Sequence, residues 1–117
     1  MAYSTTVANQ ALDSVTGGTT NCAAYVSLHS ADPSTTGGSE MSGGGYARQA
    51  CSWNAASARS KTNSSTLAFT TTGGTAVTWA GTFSAVTAGT FGIGLQLTSS
   101  VTAVNISVAP GALSMTA

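Results

Sequence analysis

Ala76-Val-Thr-Trp-Ala-Gly-Thr-Phe83 is followed, across Ser84-Ala-Val-Thr-Ala-Gly89, by Thr90-Phe-Gly-Ile-Gly-Leu-Gln-Leu97. Large apolar residues recur at every second position in both runs. Successive side chains of a strand point to opposite faces, so this period of two predicts strands. Strict alternation places Val77, Trp79, Gly81 and Phe83 on one face of the first strand. It places Phe91, Ile93, Leu95 and Leu97 together on the second. Ala88-Gly89 supplies a turn between the two.

The same grammar extends to both sides. Ala24, Val26 and Leu28 alternate with Tyr25, Ser27 and His29. Strands are also predicted over Tyr46–Trp53, Thr66–Thr70 and Val101–Val108, with a last short one around Leu113 and Met115. Residues 54–64 read as a polar connection carrying Arg59 and Lys61. Gly73-Gly74 and Pro110-Gly111 mark further turns. Six or seven short strands, rich in β-branched Thr, predict an all-β fold. The expected architecture is a compact antiparallel β-sandwich or small barrel.

Residues 1–20 read as an N-terminal arm. Ser4 suits a helix N-cap, and Val7, Ala8, Ala11, Leu12 and Val15 repeat at helical spacing. Gly17-Gly18 supplies the stop. So narrow a face of small residues needs a partner, either its own sheet or a neighbouring subunit. Residues 21–117 then form a single β domain with a long loop over 30–45, since 117 residues suit one domain of ordinary size.

Composition narrows the function. Only 5% of the residues are charged, against roughly 25% in an average soluble domain, and the formal net charge is zero. Little electrostatic repulsion opposes self-association, so the chain is expected to work inside an assembly. Phosphate recognition needs clustered Lys and Arg, and Arg48, Arg59 and Lys61 are too few. No apolar run approaches the ~20 residues of a spanning helix. Met1-Ala2-Tyr3-Ser4 carries no basic-then-apolar pattern, so synthesis and assembly in a cytoplasm are expected. In that compartment Cys22 and Cys51 are read as buried thiols rather than a disulfide.

The loop carries the candidate site residues. Asp32-Pro33 starts a turn, and Gly37-Gly38 and Gly43-Gly44-Gly45 punctuate the chain between that turn and Tyr46. His29 sits at the strand end before it and is read as hydrogen-bonding into the loop. Catalysis by His29 would need a nucleophile and a carboxylate, and no Gly-x-Ser-x-Gly elbow is present. Asp32 and Glu40 match no calcium-loop spacing, so neither a metal nor a cofactor is expected. Tyr46 and Arg48, two residues apart, are read as partners of the loop. Arg48 pairs with Glu40 or Asp32, or reaches a neighbouring subunit. The aromatic residues Trp53, Trp79, Phe69, Phe83 and Phe91 are read as core rather than as a sugar-binding face.

From Leu28 to Arg48 the chain shows Leu28, His29, Ala31, Asp32, Pro33, Gly37, Glu40, Ser42, Gly43, Tyr46, Ala47 and Arg48 in order. This resembles a family of small virion proteins of tailed phages and prophages, with a Leu-His-x-Ala-Asp-Pro turn followed by Gly, Glu, Ser-Gly and Tyr-Ala-Arg. The family's later Phe-Gly-Leu-Trp-Asp-like phrase is not matched by Trp79-Ala80-Gly81-Thr82-Phe83-Ser84, which has no acid. The resemblance implies a structural protein of a virion and not an enzyme. Its short, nearly uncharged chain suggests a capsid decoration (cement) protein, bound as a homotrimer to the major capsid protein. The alternative is a tail fibre or baseplate component with tail proteins as partners, able to contact the host surface.

Overall fold

The computed structural model describes residues 4–17 and 21–116. Among these residues the chain forms one helix, α1 (Thr5–Gly17), and eight strands: β1 (Tyr25–His29), β2 (Gln49–Ala50), β3 (Ser60–Thr62), β4 (Leu67–Thr70), β5 (Val77–Phe83), β6 (Phe91–Val101), β7 (Asn105–Val108) and β8 (Ser114–Thr116). The strand pairings are antiparallel. The order β2-β1-β5-β6 makes the main sheet, while β3-β8 and β4-β7 are two-stranded. The result is a small β-sandwich rather than a closed barrel.

The core lies between the main sheet and β4-β7. Val26 and Leu28 of β1 and Val77 and Ala80 of β5 meet Leu67 and Phe69 of β4 and Ile106 of β7. Phe69 and Leu67 are almost wholly buried, each contributing about 1.5–3 kcal/mol. A second cluster joins Leu12 of α1 to Ala23 and Met115, with Trp53, Ile93 and Leu95 packed against it. The helix thus docks on its own chain. Asp13 accepts from the Ala56 amide and the Lys61 ammonium, and Asn9 accepts from the Arg59 amide. Ala11, expected on the buried face, is exposed. The side chains of Val7, Ala8 and Val15, and Gly18, lie outside the described residues.

The strand predictions need correction at several points. First, Phe91 does not share a face with Leu95. Gly81 pairs with Gly94, but Phe83 pairs with Phe91, so β6 spends three steps against two on β5. This bulge turns Phe91 to the side of Phe83, 5.3 Å between ring centroids. Thr82 Oγ1 accepts the bulged Ile93 amide. A second irregularity, between Val77 and Trp79, turns Val77 into the core with Ala80 and away from the face of Gly81 and Phe83.

Second, the strand predicted over Tyr46–Trp53 shrinks to Gln49–Ala50, plus a bridge from Trp53 to Asn63. Third, the polar connection contains β3 and a tight hairpin closed by Ser57–Ser60 hydrogen bonds in both directions. Its two central residues, Ala58 and Arg59, both have positive φ, 50° and 65°. β6 also runs on to Val101, which separates that residue from β7.

The charges are unevenly distributed. Asp13, His29, Asp32, Glu40, Arg48, Arg59 and Lys61 are all the charged residues and the only histidine; none follows Lys61. The tyrosines and cysteines also precede it. Cys22 and Cys51 are not disulfide-bonded; both are half-buried, and burial pushes the Cys51 thiol up to about 11.

Candidate functional site

The register of the main sheet positions the site. Because β1 and β5 are antiparallel, His29 lies opposite Trp79, Ser27 opposite Gly81 and Tyr25 opposite Phe83. These residues occupy the face of the sheet away from the core. The loop after His29 folds back over that face. It closes at its base where the Ser30 amide donates to Ser39 O and the Met41 amide donates to Leu28 O.

Local chemistry shapes the loop. Asp32 Oδ1 accepts the Ser34 amide, and Pro33 O accepts the amides of Gly37 and Gly38. Pro33 is buried against Gly94. Gly37, with φ of 79°, lies so close to the Phe83 and Phe91 rings that a Cβ there would sit 2.6 Å from Phe83. Only glycine combines that backbone with that approach.

His29 is fully buried beneath the loop. Its Nδ1 lies 2.8 Å from Gly38 O and its Nε2 lies 2.7 Å from Ser27 Oγ. A carbonyl oxygen only accepts, so Nδ1 carries the proton and Nε2 of the neutral ring accepts from the Ser27 hydroxyl. Burial lowers the His29 pKa, against the opposing pull of the Gly38 carbonyl and Glu40. Ser27 and His29 are both sealed from water. Their geometry ties the loop to the sheet.

The second half of the site is a polar clasp. Arg48 donates from Nε to Glu40 Oε2 and from a terminal nitrogen to Glu40 Oε1. Its other terminal nitrogen donates to Ala85 O at 3.0 Å and Ala88 O at 2.7 Å. The guanidinium carbon lies 3.4 Å from the Phe83 ring centroid, a cation–π arrangement. Tyr46 donates its hydroxyl to Glu40 Oε2 and accepts the Leu28 amide. Burial raises the Glu40 carboxyl, but the Arg48 and Tyr46 hydrogen bonds, with the charges of Arg48 and His29, leave its pKa lowered. Burial, with the Glu40 carboxylate beside it, holds the Tyr46 hydroxyl protonated far above the usual range.

Glu40, Tyr46 and Arg48 therefore come together, with His29 bridged to Glu40 and Pro33 buried at the underside of the loop. Asp32 is exposed and turns the backbone; it does not reach Arg48. The sequence reading missed Ser27, Phe83 and the carbonyls of Ala85 and Ala88. It also missed the buried Lys61 that pins α1 through Asp13. A shallow depression of about 330 Å³ borders the clasp, between Tyr46, Arg48 and the half-exposed Val86. Among the described residues, no three His, Cys, Asp or Glu side chains gather as metal ligands.

The family model for "Podophage GP4 fiber I protein gp80" matches residues 2–116. No curated protein matches the chain. The resemblance to phage virion proteins and the match over almost the whole chain point the same way. The chain belongs to the podophage GP4 fiber I protein gp80 family, and with it to the structural proteins of phage particles.

Proposed function

We propose that the chain is a fibre-type structural module of a phage tail, held in place by copies of itself and by other tail proteins. The observation that carries this reading is the fibre-family match across residues 2–116. Head decoration was expected from chain length and scarcity of charge, and neither property distinguishes a head from a tail. A short module suits a fibre when several copies, or other proteins, supply the length.

The arrangement of polar groups fits mechanical work. Arg48 and Lys61 are engaged with Glu40 and Asp13, which leaves little cationic surface for nucleic acid. The loop over 30–45 is locked down at His29, Pro33 and Glu40, so it offers a shaped surface. Its work is binding and load-bearing without turnover.

Immunogold labelling and asymmetric cryo-electron microscopy of intact particles test the placement. Label on the tail, with a copy number in the tens or below, is the expected result. Hundreds of copies spread over the head shell would overturn it.

A further inference from the structure

The margin of the main sheet points to an interface. β6 is its outermost strand, bonded to β5 on one side and to no other described strand on the other. At 11 residues, set against the seven of β5, it is the longest described strand of the molecule. An edge strand presents a row of N–H and C=O groups ready for another strand. Natural edges are blunted by charge, by proline, by shortness or by bulges. β6 carries no charge, since no charged residue follows Lys61, and no proline, and it is not short; it is interrupted by its two register shifts against β5. The opposite margin, β2, has only two residues.

The surroundings of the second half of β6 fit the same picture. Gln96, Thr98, Ser99, Ser100 and Val101 are exposed. Val101 and Val104, exposed by 36% and 51%, lie at and just beyond its end. An apolar cleft of about 470 Å³ opens alongside, between Leu97 and Val101 on one lip and Ile106 and Val108 on the other. Backbone valence, exposed valine and an open apolar seam thus converge on residues 96–104.

We propose that this edge binds a second copy of the chain, β6 against β6 in antiparallel register, joining two four-stranded sheets into one. The partner must offer an extended strand of similar length with no charge to desolvate. Among the described residues, the one long edge without charge or proline is β6 itself. Pairing two such edges brings no like charges together and strands no charge in the seam. It is also isologous, so it closes at two copies instead of running on as a filament. A β6-to-β2 pairing would leave most of β6 uncovered. The proposal does not depend on where the protein sits on the particle.

The experiment uses the purified full chain. Light scattering after size exclusion, across a concentration series, reports mass; hydrogen exchange reports which amides are covered. The expected result is a dimer whose amides within 96–101 gain at least tenfold protection as concentration rises. Ser100→Lys places a charge on the exposed edge and weakens dimerisation at least tenfold with an unchanged melting temperature, while Ser100→Thr does not. A monomer at every concentration would overturn the proposal. So would an oligomer, a trimer included, whose 96–101 amides stay unprotected. Exchange on the unaltered chain decides the question should a variant fail to fold.

Discussion

Arg48 and Glu40 meet fork to fork, with Nε to Oε2 and the terminal nitrogen to Oε1 both at 2.8 Å. The same guanidinium spans to the turn carbonyls of Ala85 and Ala88 and lies on Phe83. One side chain thus connects the loop over 30–45, the β5-β6 turn and the aromatic face between them. Arg48→Ala is expected to cost about 2–4 kcal/mol, because it leaves a largely desolvated carboxylate and two carbonyls short of donors. Arg48→Lys should restore less than half of that, since an ammonium cannot reproduce the planar fork. Urea unfolding of the two variants measures both values.

Acid should weaken the fold in two stages. The folded chain holds the His29 pKa below 6.5, so below that pH the unfolded chain binds a proton that the folded chain refuses. Stability from this group is complete above pH 6.5 and declines as pH falls beneath it. Glu40 is likewise lowered from 4.5, and its contribution is lost as pH falls below that value. Urea midpoints between pH 8 and pH 3.5 should show both declines, and His29→Gln should flatten the first.

Gly81 is held small by its neighbours. A Cβ there would lie 2.6 Å from His29 Nε2, 2.8 Å from Ser27 Oγ and 3.0 Å from Phe91. Gly81→Ala should cost about 1–3 kcal/mol by overpacking. Gly74, with nothing within 4 Å of the same atom, serves as the comparison. Gly74→Ala should leave the thermal midpoint within a degree or two.

The Ser57–Ser60 hairpin stores strain that a substitution can release. Ala58 adopts a left-handed backbone, φ 50°, that costs an L-residue with a plain Cβ. Ala58→Asn should raise stability by about 0.5–1 kcal/mol, because Asn tolerates that region. Thermal unfolding followed by circular dichroism reads the gain.

The Lys61–Asp13 pair should prove lopsided. Lys61 is nearly wholly buried, while the Asp13 side chain is about half exposed, 47%. Removing Asp13 leaves a buried ammonium without its carboxylate, whereas Lys61→Met leaves a carboxylate that water can solvate. Asp13→Ala should therefore lower the urea midpoint more than Lys61→Met. The reverse order would show that the pair is not what anchors α1.

Much of the fold was readable because apolar alternation and core packing coincide in β1 and β4. β3 escaped notice because Ser60-Lys61-Thr62 has no apolar period, and its hairpin turns through Ala58 and Arg59 where Asn-Gly would have signalled it. The face of Phe91 was misread because a bulge changes alternation without leaving a mark on composition. Tyr46 and Arg48 looked like strand residues, yet their polar ends are drawn to Glu40, so little of that segment pairs. Glu40, Tyr46 and Arg48 could be nominated together from their spacing. The carbonyls of Ala85 and Ala88 could not, because a main-chain oxygen has no letter of its own.

The confinement of every titrating side chain to the stretch ending at Lys61 divides the molecule by its response to surroundings. The later strands possess no side chain that can gain or lose a proton, so neither acid soil nor alkaline wash alters their charge. Sensitivity to the medium is left to the fold's first half, where a histidine and a carboxylate fasten one loop.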